Sequence, residues 1–127
     1  MSMWKDLDLQ EKLLNVLEVD SHAENHHFGR PFLTPYQIAI RFKELYPEDF
    51  STIGKPVGGK GNGQQDSLAQ YLSLQLSKNI KSGEISNIEG RFLSHIYLSN
   101  LEYTLENEKL TSSSEQSYDL SMFRLKK

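Results

Sequence analysis

The sequence predicts an α+β fold that is mainly α-helical, with three helices, then a small β-hairpin, then a C-terminal tail. Three observations support this prediction. Apolar residues recur at helical spacing in three segments, and each segment opens with a capping pattern. After Gly83 the spacing changes, and Ile, Phe, Tyr and Leu become frequent around a Glu-Gly pair. The chain has 127 residues, 37% of them hydrophobic, which is enough for one core.

The first helix is expected to begin at Asp8 and to fade near Asp20. Asp8 and Glu11 have the spacing of a reciprocal capping box, and the apolar residues after Asp8 share one helical face. Trp4 and Leu7 precede this face and are expected to pack onto it. Residues 20–31 are interpreted as a connector.

The second helix has the clearest start signal in the chain. Thr34 is expected at the N-cap, Pro35 at the first helical position and Gln37 at the position that returns a hydrogen bond to the cap. Pro47 is expected to end this helix after Tyr46, because a proline disfavours helical backbone at the residue before it.

A loop over residues 51–65 and a third helix from Ser67 are predicted next. Five of the eight glycines lie between Gly54 and Gly63. Ser67 and Gln70 repeat the capping-box spacing, and leucines then step by four towards Gly83, which suits a helix end. The opposite face of this helix holds four polar residues: Gln70, Ser73, Ser77 and Lys81.

The remaining segments are predicted as a hairpin, an ambiguous stretch and a tail. Residues 84–88 and 91–98 are interpreted as two strands joined by a turn at Glu89-Gly90. Residues 101–110 fit either a strand or a helix. We therefore assign residues 1–110 to one domain and residues 111–127 to a polar linker followed by a short apolar segment. That segment either covers its own domain or joins two copies into a homodimer, through Tyr118, Leu120, Phe123 and Leu125.

Charge is unevenly distributed along the chain. Residues 1–50 carry five basic and nine acidic side chains, residues 51–95 carry five and three, and residues 96–127 carry four and five, which sums to the net charge of −3. The middle third is thus mildly basic. The chain contains no cysteine, which excludes disulfides and thiolate metal sites, and no apolar run long enough for a membrane span. We expect a cytoplasmic protein with no membrane partner.

The order of three helices and a hairpin resembles the winged helix-turn-helix superfamily. The Thr34-Pro-Tyr-Gln-Ile-Ala segment, the helix from Ser67 and the Glu-Gly-Arg-Phe hairpin are similar to the HARE-type winged helices of chromatin and restriction proteins. This resemblance implies that the third helix enters the major groove of DNA and that the wing touches the backbone or minor groove. It implies helix contacts from Gln70, Ser73, Ser77 and Lys81, a wing contact from Arg91, and phosphate contacts from Lys55 and Lys60.

Two other patterns in the sequence bear on phosphate and metal binding. Gly54 to Lys60 matches the G-x-x-x-x-G-K of a phosphate-binding loop, but Gly61 follows where magnesium binding needs Ser or Thr. His22, Glu24, His26 and His27 lie close together and are weak candidates for a metal site, although their spacing matches no metalloenzyme motif. We therefore expect no enzyme activity, no resident metal and no cofactor.

Two functions remain for comparison with the structure. The first is a small winged-helix protein that binds double-stranded DNA, as a transcriptional regulator or as an accessory protein of a mobile element. The alternative is a protein-interaction module that uses the same fold without binding DNA.

Overall fold

A computed structural model describes residues 3–20, 22, 26–58, 67–98, 101–105, 108–111 and 119–126. Within these ranges the chain is α+β. Five helices are followed by four strands in two small antiparallel sheets: α1 (Met3–Asp6), α2 (Leu9–Val16), α3 (Pro35–Leu45), α4 (Pro47–Ile53), α5 (Leu68–Ser82), β1 (Ile88–Leu93), β2 (Glu102–Leu105), β3 (Glu108–Thr111) and β4 (Leu120–Leu125).

The predicted first helix corresponds to α2, but its predicted cap is wrong. Asp8 precedes α2 with left-handed backbone angles (φ 54°, ψ 47°) and makes no side-chain cap hydrogen bond. An N-cap side chain reaches the first turn from extended backbone, and Asp8 does not have that conformation because a short helix, α1, ends just before it. Trp4 of α1 is buried in the core, as its place before the apolar face predicted.

The predicted second helix is confirmed at its start and at its end, and a further helix that was not predicted follows it directly. The Thr34 hydroxyl accepts from the Gln37 amide at 3.4 Å, and the Gln37 side chain accepts from the Thr34 amide at 2.8 Å, so the capping box is complete. Pro47 does follow the end of α3 at Leu45. It also occupies the first position of α4, which sequence analysis had assigned partly to a loop. Proline is favoured there because this position needs no amide donor.

The predicted third helix corresponds to α5, and both of its ends are as expected. The Ser67 hydroxyl accepts from the Gln70 amide at 3.1 Å, and Gly83 ends the helix with left-handed angles (φ 88°) that glycine adopts without strain. Both α2 and α5 pack against α3.

The hairpin predicted at residues 84–98 is wrong. Glu89 and Gly90 lie inside β1 rather than in a turn, and β1 pairs with β4, so that Gly90 faces Phe123 and Leu93 faces Leu120. The C-terminal segment therefore completes a sheet within its own chain. Leu33, just before α3, adds a bridge to the other side of β4 through two hydrogen bonds with Phe123, of 2.8 and 2.9 Å. The ambiguous stretch forms a real hairpin of β2 and β3.

One hydrophobic core joins the helices to the sheet. Its fully buried members come mainly from α2, α3 and α5, and are joined by Ile88 of β1 and Leu110 of β3. Phe123 of β4 is buried with them, and this burial fixes the end of the chain onto the domain. No helix in the described ranges combines the length and the apolar character needed to cross a membrane.

Candidate nucleic-acid interface

The longest helix, α5, buries one face in the core and leaves the opposite face exposed. The buried face contains Leu68, Leu72 and Leu76. Residues spaced by three or four positions form the exposed stripe, which we call the α5 face: Gln70, Leu74, Ser77, Lys78 and Lys81. The helix contains two lysines and no acidic residue, so this face carries positive charge on a protein of net negative charge.

Three of the four predicted helix contacts lie on the α5 face, and one does not. Gln70, Ser77 and Lys81 are exposed there. Ser73 is half-buried, and its hydroxyl oxygen lies 3.1 Å from that of Ser121 on β4. Because β4 covers that side of the helix, the exposed face is rotated towards Leu74 and Lys78, which sequence analysis missed.

Leu74 is the most unusual member of the α5 face. Its side chain is 62% exposed at the middle of the stripe, where it gains nothing from the core. An apolar side chain on a helix in the major groove suits contact with the methyl group of thymine. The α5 face therefore combines polar, positive and apolar groups.

The amino-terminal end of α5 offers no anion site, although it follows the glycine loop. The Leu68 amide donates to the Pro56 carbonyl at 2.7 Å, the Ala69 amide donates to the Val57 carbonyl at 3.1 Å, and Ser67 caps the Gln70 amide. These three amides would otherwise be the donors that bind a phosphate at a helix terminus. The carbonyls of the loop satisfy them instead, so the described part of the loop acts as a structural brace.

Of the two loop lysines predicted to contact phosphates, the structure describes only Lys55. Lys60 lies outside the described residues. The Lys55 ammonium lies 5.8 Å from the centre of the Tyr71 ring. Burial raises the pKa of the Tyr71 hydroxyl above its ordinary value of 10.0, and the Lys55 charge partly offsets this rise. Tyr71 is therefore neutral at physiological pH and adds no negative charge beside the α5 face.

The predicted wing contact, Arg91, belongs to an ion-pair cluster on the solvent side of the β1–β4 sheet. Arg91 pairs with Glu89 at 2.6 Å, and Glu89 also pairs with Arg124 at 2.9 Å. The hydrogen bond from Arg124, and then the charges of both arginines, hold the pKa of Glu89 below its ordinary value. One carboxylate thus faces two guanidinium groups, and the cluster keeps one net positive charge, with the Arg91 side chain 62% exposed.

The histidines of the connector form no metal site in the described ranges. The rings of His26 and His27 stack with centres 4.2 Å apart, and His26 Nδ1 accepts from the Phe28 amide at 3.1 Å. His22 is exposed, and Glu24 lies outside the described residues. Among the residues that the structure describes, no three His, Asp or Glu side chains are grouped to hold a metal ion.

A contact that sequence analysis missed joins His95 to Asp119 at the end of the sheet. One oxygen of Asp119 accepts from the His95 amide at 2.9 Å and lies 2.6 Å from its Nδ1. The hydrogen bond with the His95 ring, and to a smaller extent the bond from the His95 amide, hold the pKa of Asp119 below its ordinary value of 3.8. The two residues are 24 positions apart, and only the pairing of β1 with β4 brings them together, so no local signal predicts the contact.

The structure describes three of the four residues of the predicted dimer contact, and all three are buried or partly buried within their own chain. Leu120 and Phe123 are buried within their own chain, and Leu125 is partly buried. Tyr118 lies outside the described residues. The C-terminal segment thus covers its own domain. A homodimer formed by exchange of this segment would require β4 to leave β1 of its own chain and pair with β1 of the other copy.

Comparison of the chain with protein-family models, with curated proteins and with solved structures finds no match. The features of this chain that bear on function are therefore those of the α5 face and its surroundings. That surface has hydrogen-bond donors, positive charge and an apolar centre, and so suits the binding of a ligand.

Proposed function

We propose that this chain is a small winged-helix protein that binds double-stranded DNA non-covalently, with α5 in the major groove. The observation that carries the proposal is the α5 face. It presents Lys78 and Lys81 beside Gln70, Ser77 and Leu74, on a helix with no acidic residue. Lysines suit phosphates, glutamine suits adenine, and the leucine suits the thymine methyl group.

The arrangement of the elements supports this proposal. Helices α2, α3 and α5 share one core, and the β1–β4 sheet follows α5 in the chain. Because α3 supports the buried side of α5, the exposed side is free to enter a groove as a rigid unit. A recognition helix needs this support, since its contacts depend on a fixed orientation.

Regulation of transcription, or assistance to a mobile element, is the process that we propose for this binding. A dimer made by exchange of β4 stays a prediction. Each copy offers few positive charges to DNA, and a dimer would double their number. Such a dimer predicts a two-fold symmetric binding site.

A selection experiment tests the proposal. The protein is incubated with random-sequence duplex DNA at about 50 mM salt, and the retained molecules are sequenced. An enriched motif supports sequence-specific binding, and its symmetry reports the dimer. Retention without a motif, lost on raising salt, would limit the function to backbone binding.

Matched charge variants then test whether α5 is the interface. Lys78→Glu with Lys81→Glu is expected to weaken binding roughly 10- to 100-fold and to reduce the salt dependence by about two charges. The control is Lys5→Glu with Lys109→Glu, which makes the same change in net charge at exposed sites on α1 and β3. Equal losses in both double variants would contradict a role for α5.

A second candidate function is a protein-docking module, and exposed apolar side chains favour it. Leu74 on α5 is 62% exposed, and Phe92 on β1 is 72% exposed. Absence of any DNA retention, together with a stable complex that Leu74→Asp abolishes, would favour docking over DNA binding.

A further inference from the structure

A tight turn follows β1 and has an unfavourable backbone. The Leu98 amide donates to the His95 carbonyl at 3.0 Å, which closes a four-residue turn. Tyr97 is the third residue of this turn and has a φ of 67°. Glycine or asparagine usually occupies such a position, because a Cβ is disfavoured at positive φ. The backbone of Tyr97 is therefore strained.

The strained residue does no packing within its own chain. Tyr97 is 102% exposed and Ile96 beside it is 60% exposed. Neither side chain gains from burial, so their presence at the tip does not stabilise the fold. Strain at a residue whose side chain points entirely into solvent indicates a role towards an external ligand.

The base of the turn is held firmly. The His95 amide and ring both bond to one oxygen of Asp119, at 2.9 and 2.6 Å. Asp119 precedes Leu120, which pairs with Leu93 at the end of β1. The Ile96 amide also donates to the Ser94 hydroxyl at 3.1 Å. These bonds fix the exposed tip before any ligand binds, which lowers the entropic cost of binding.

The strand that leads into the turn, β1, runs along α5 towards the amino-terminal end of that helix. A Cβ placed on Gly90 would lie 3.9 Å from Ile80, near the end of α5. Two residues further along β1, Phe92 pairs with Ser121, which contacts Ser73 in the first half of α5. β1 therefore runs antiparallel to α5, and its continuation into the turn leads past the end of the helix where Gln70 lies.

We infer that Ile96 and Tyr97 form an apolar wedge that inserts between neighbouring base pairs of the DNA held by α5 and bends it. The inference rests on the proposed DNA binding. Two exposed apolar side chains at a turn, after a strand that packs along the positive helix, suit a narrow groove, whereas docking of a folded protein needs a broader apolar surface. Apolar wedges of this kind unstack one base step and kink the duplex.

The test measures bending and unstacking directly. A duplex of about 30 base pairs, bearing the selected sequence, carries a donor and an acceptor dye at its ends and 2-aminopurine at successive positions in separate samples. Wild-type protein is expected to raise energy transfer between the ends and to raise 2-aminopurine fluorescence at one step. Tyr97→Gly is expected to remove both signals and to weaken binding roughly tenfold, as loss of one base–aromatic stack does.

Two controls keep the inference separate from folding and from the proposed function. Glycine relieves the positive φ of Tyr97, so Tyr97→Gly preserves the fold. Phe28→Ala removes another exposed aromatic side chain, 73% exposed, near the opposite end of the sheet, and is expected to leave both signals intact. Binding by wild-type protein without bending or unstacking, or unchanged signals in Tyr97→Gly, would overturn the wedge alone. Absence of any DNA binding by wild-type protein would overturn the proposed function and the wedge with it.

Discussion

Arg124 is expected to be the most important charged side chain for stability, and Arg91 supplies its control. Arg124 donates to Glu89 Oε1 at 2.9 Å, to the Phe28 carbonyl at 2.6 Å and to the Arg30 carbonyl at 2.9 Å. It joins β4 to β1 and to the connector that leads into α3. Arg91 pairs with the same carboxylate from a side chain that is 62% exposed, against 21% for Arg124.

The size of the effect follows from these contacts. A hydrogen bond to a charged group contributes about 1.5–3 kcal/mol, but water replaces part of each bond at a partly exposed site. We expect Arg124→Ala to lower the free energy of unfolding by roughly 2–4 kcal/mol. Arg91→Ala is expected to cost about 0–1 kcal/mol, as for other exposed ion pairs.

Urea denaturation followed by circular dichroism measures the difference. With a slope of about 1.5 kcal/mol per molar urea, Arg124→Ala is expected to move the midpoint by roughly 1.3–2.7 M. Arg124→Lys is expected to lose much of the same stability, because one ammonium group does not reproduce the geometry of the guanidinium fork. Equal midpoints for Arg124→Ala and Arg91→Ala would refute the reasoning.

The pH dependence separates the ion pair from the carbonyl bonds. The pKa of Glu89 is lower in the folded chain than its ordinary value of 4.5. Its contribution to stability is therefore fully present above that value and is lost as pH falls through the folded pKa. The difference between wild type and Arg124→Ala is expected to shrink on acidification but not to vanish, because the bonds to Phe28 and Arg30 do not titrate. A constant difference would show that Glu89 contributes nothing.

Three further predictions concern the ends of α5 and the turn. Gly58→Ala is expected to lower the free energy of unfolding by roughly 2–4 kcal/mol, because φ is 114° and the new Cβ would lie 3.0 Å from the Ser67 hydroxyl. Gly83→Ala is expected to lower it by about 1 kcal/mol, because φ is 88° but the space around the new Cβ is open. Thermal unfolding of the two variants compares these losses. Ser67→Ala is expected to cost about 1–2 kcal/mol through loss of the cap, checked by the same measurement. Asp119→Ala is expected to speed hydrogen exchange at the His95 amide, and unchanged exchange in this variant would contradict the contact. In wild type, protection of the His95 amide from exchange is expected to fall as pH drops below 3.8, because the pKa of Asp119 in the folded chain is lower than that value.

Local chemistry made the starts of α3 and α5 predictable from sequence, and long-range pairing made the strand partners unpredictable. The Thr34 and Ser67 caps involve residues three positions apart, so the sequence contains the whole interaction. The Glu89-Gly90 pair also looks like a local turn signal. It lies within a strand instead, because β4, about thirty residues later, satisfies the backbone of β1 and buries Phe123.

The same cause shifted the candidate site. At 100° per residue, helical spacing selected a polar stripe through Ser73, whereas the exposed α5 face is rotated by roughly 45° towards Leu74 and Lys78. Only the position of β4, whose Ser121 covers Ser73, determines which side of the helix stays open. Sequence periodicity therefore located the helix correctly and misplaced the centre of its exposed face by less than half the angle between successive residues.

The net negative charge of the chain is compatible with DNA binding because the acidic residues lie mainly elsewhere. Nine acidic side chains belong to residues 1–50, whereas α5 contains none. The core that α2 and α3 build lies against the buried side of α5, so its exposed face points away from those helices. At physiological ionic strength charges farther than about 8 Å are largely screened, so a phosphate at Lys78 or Lys81 interacts mainly with the α5 face. Repulsion from the acidic side chains of residues 1–50, which include Glu48 and Asp49 of α4, then disfavours orientations that bring them to the phosphates, and so favours the proposed one in which α5 enters the groove.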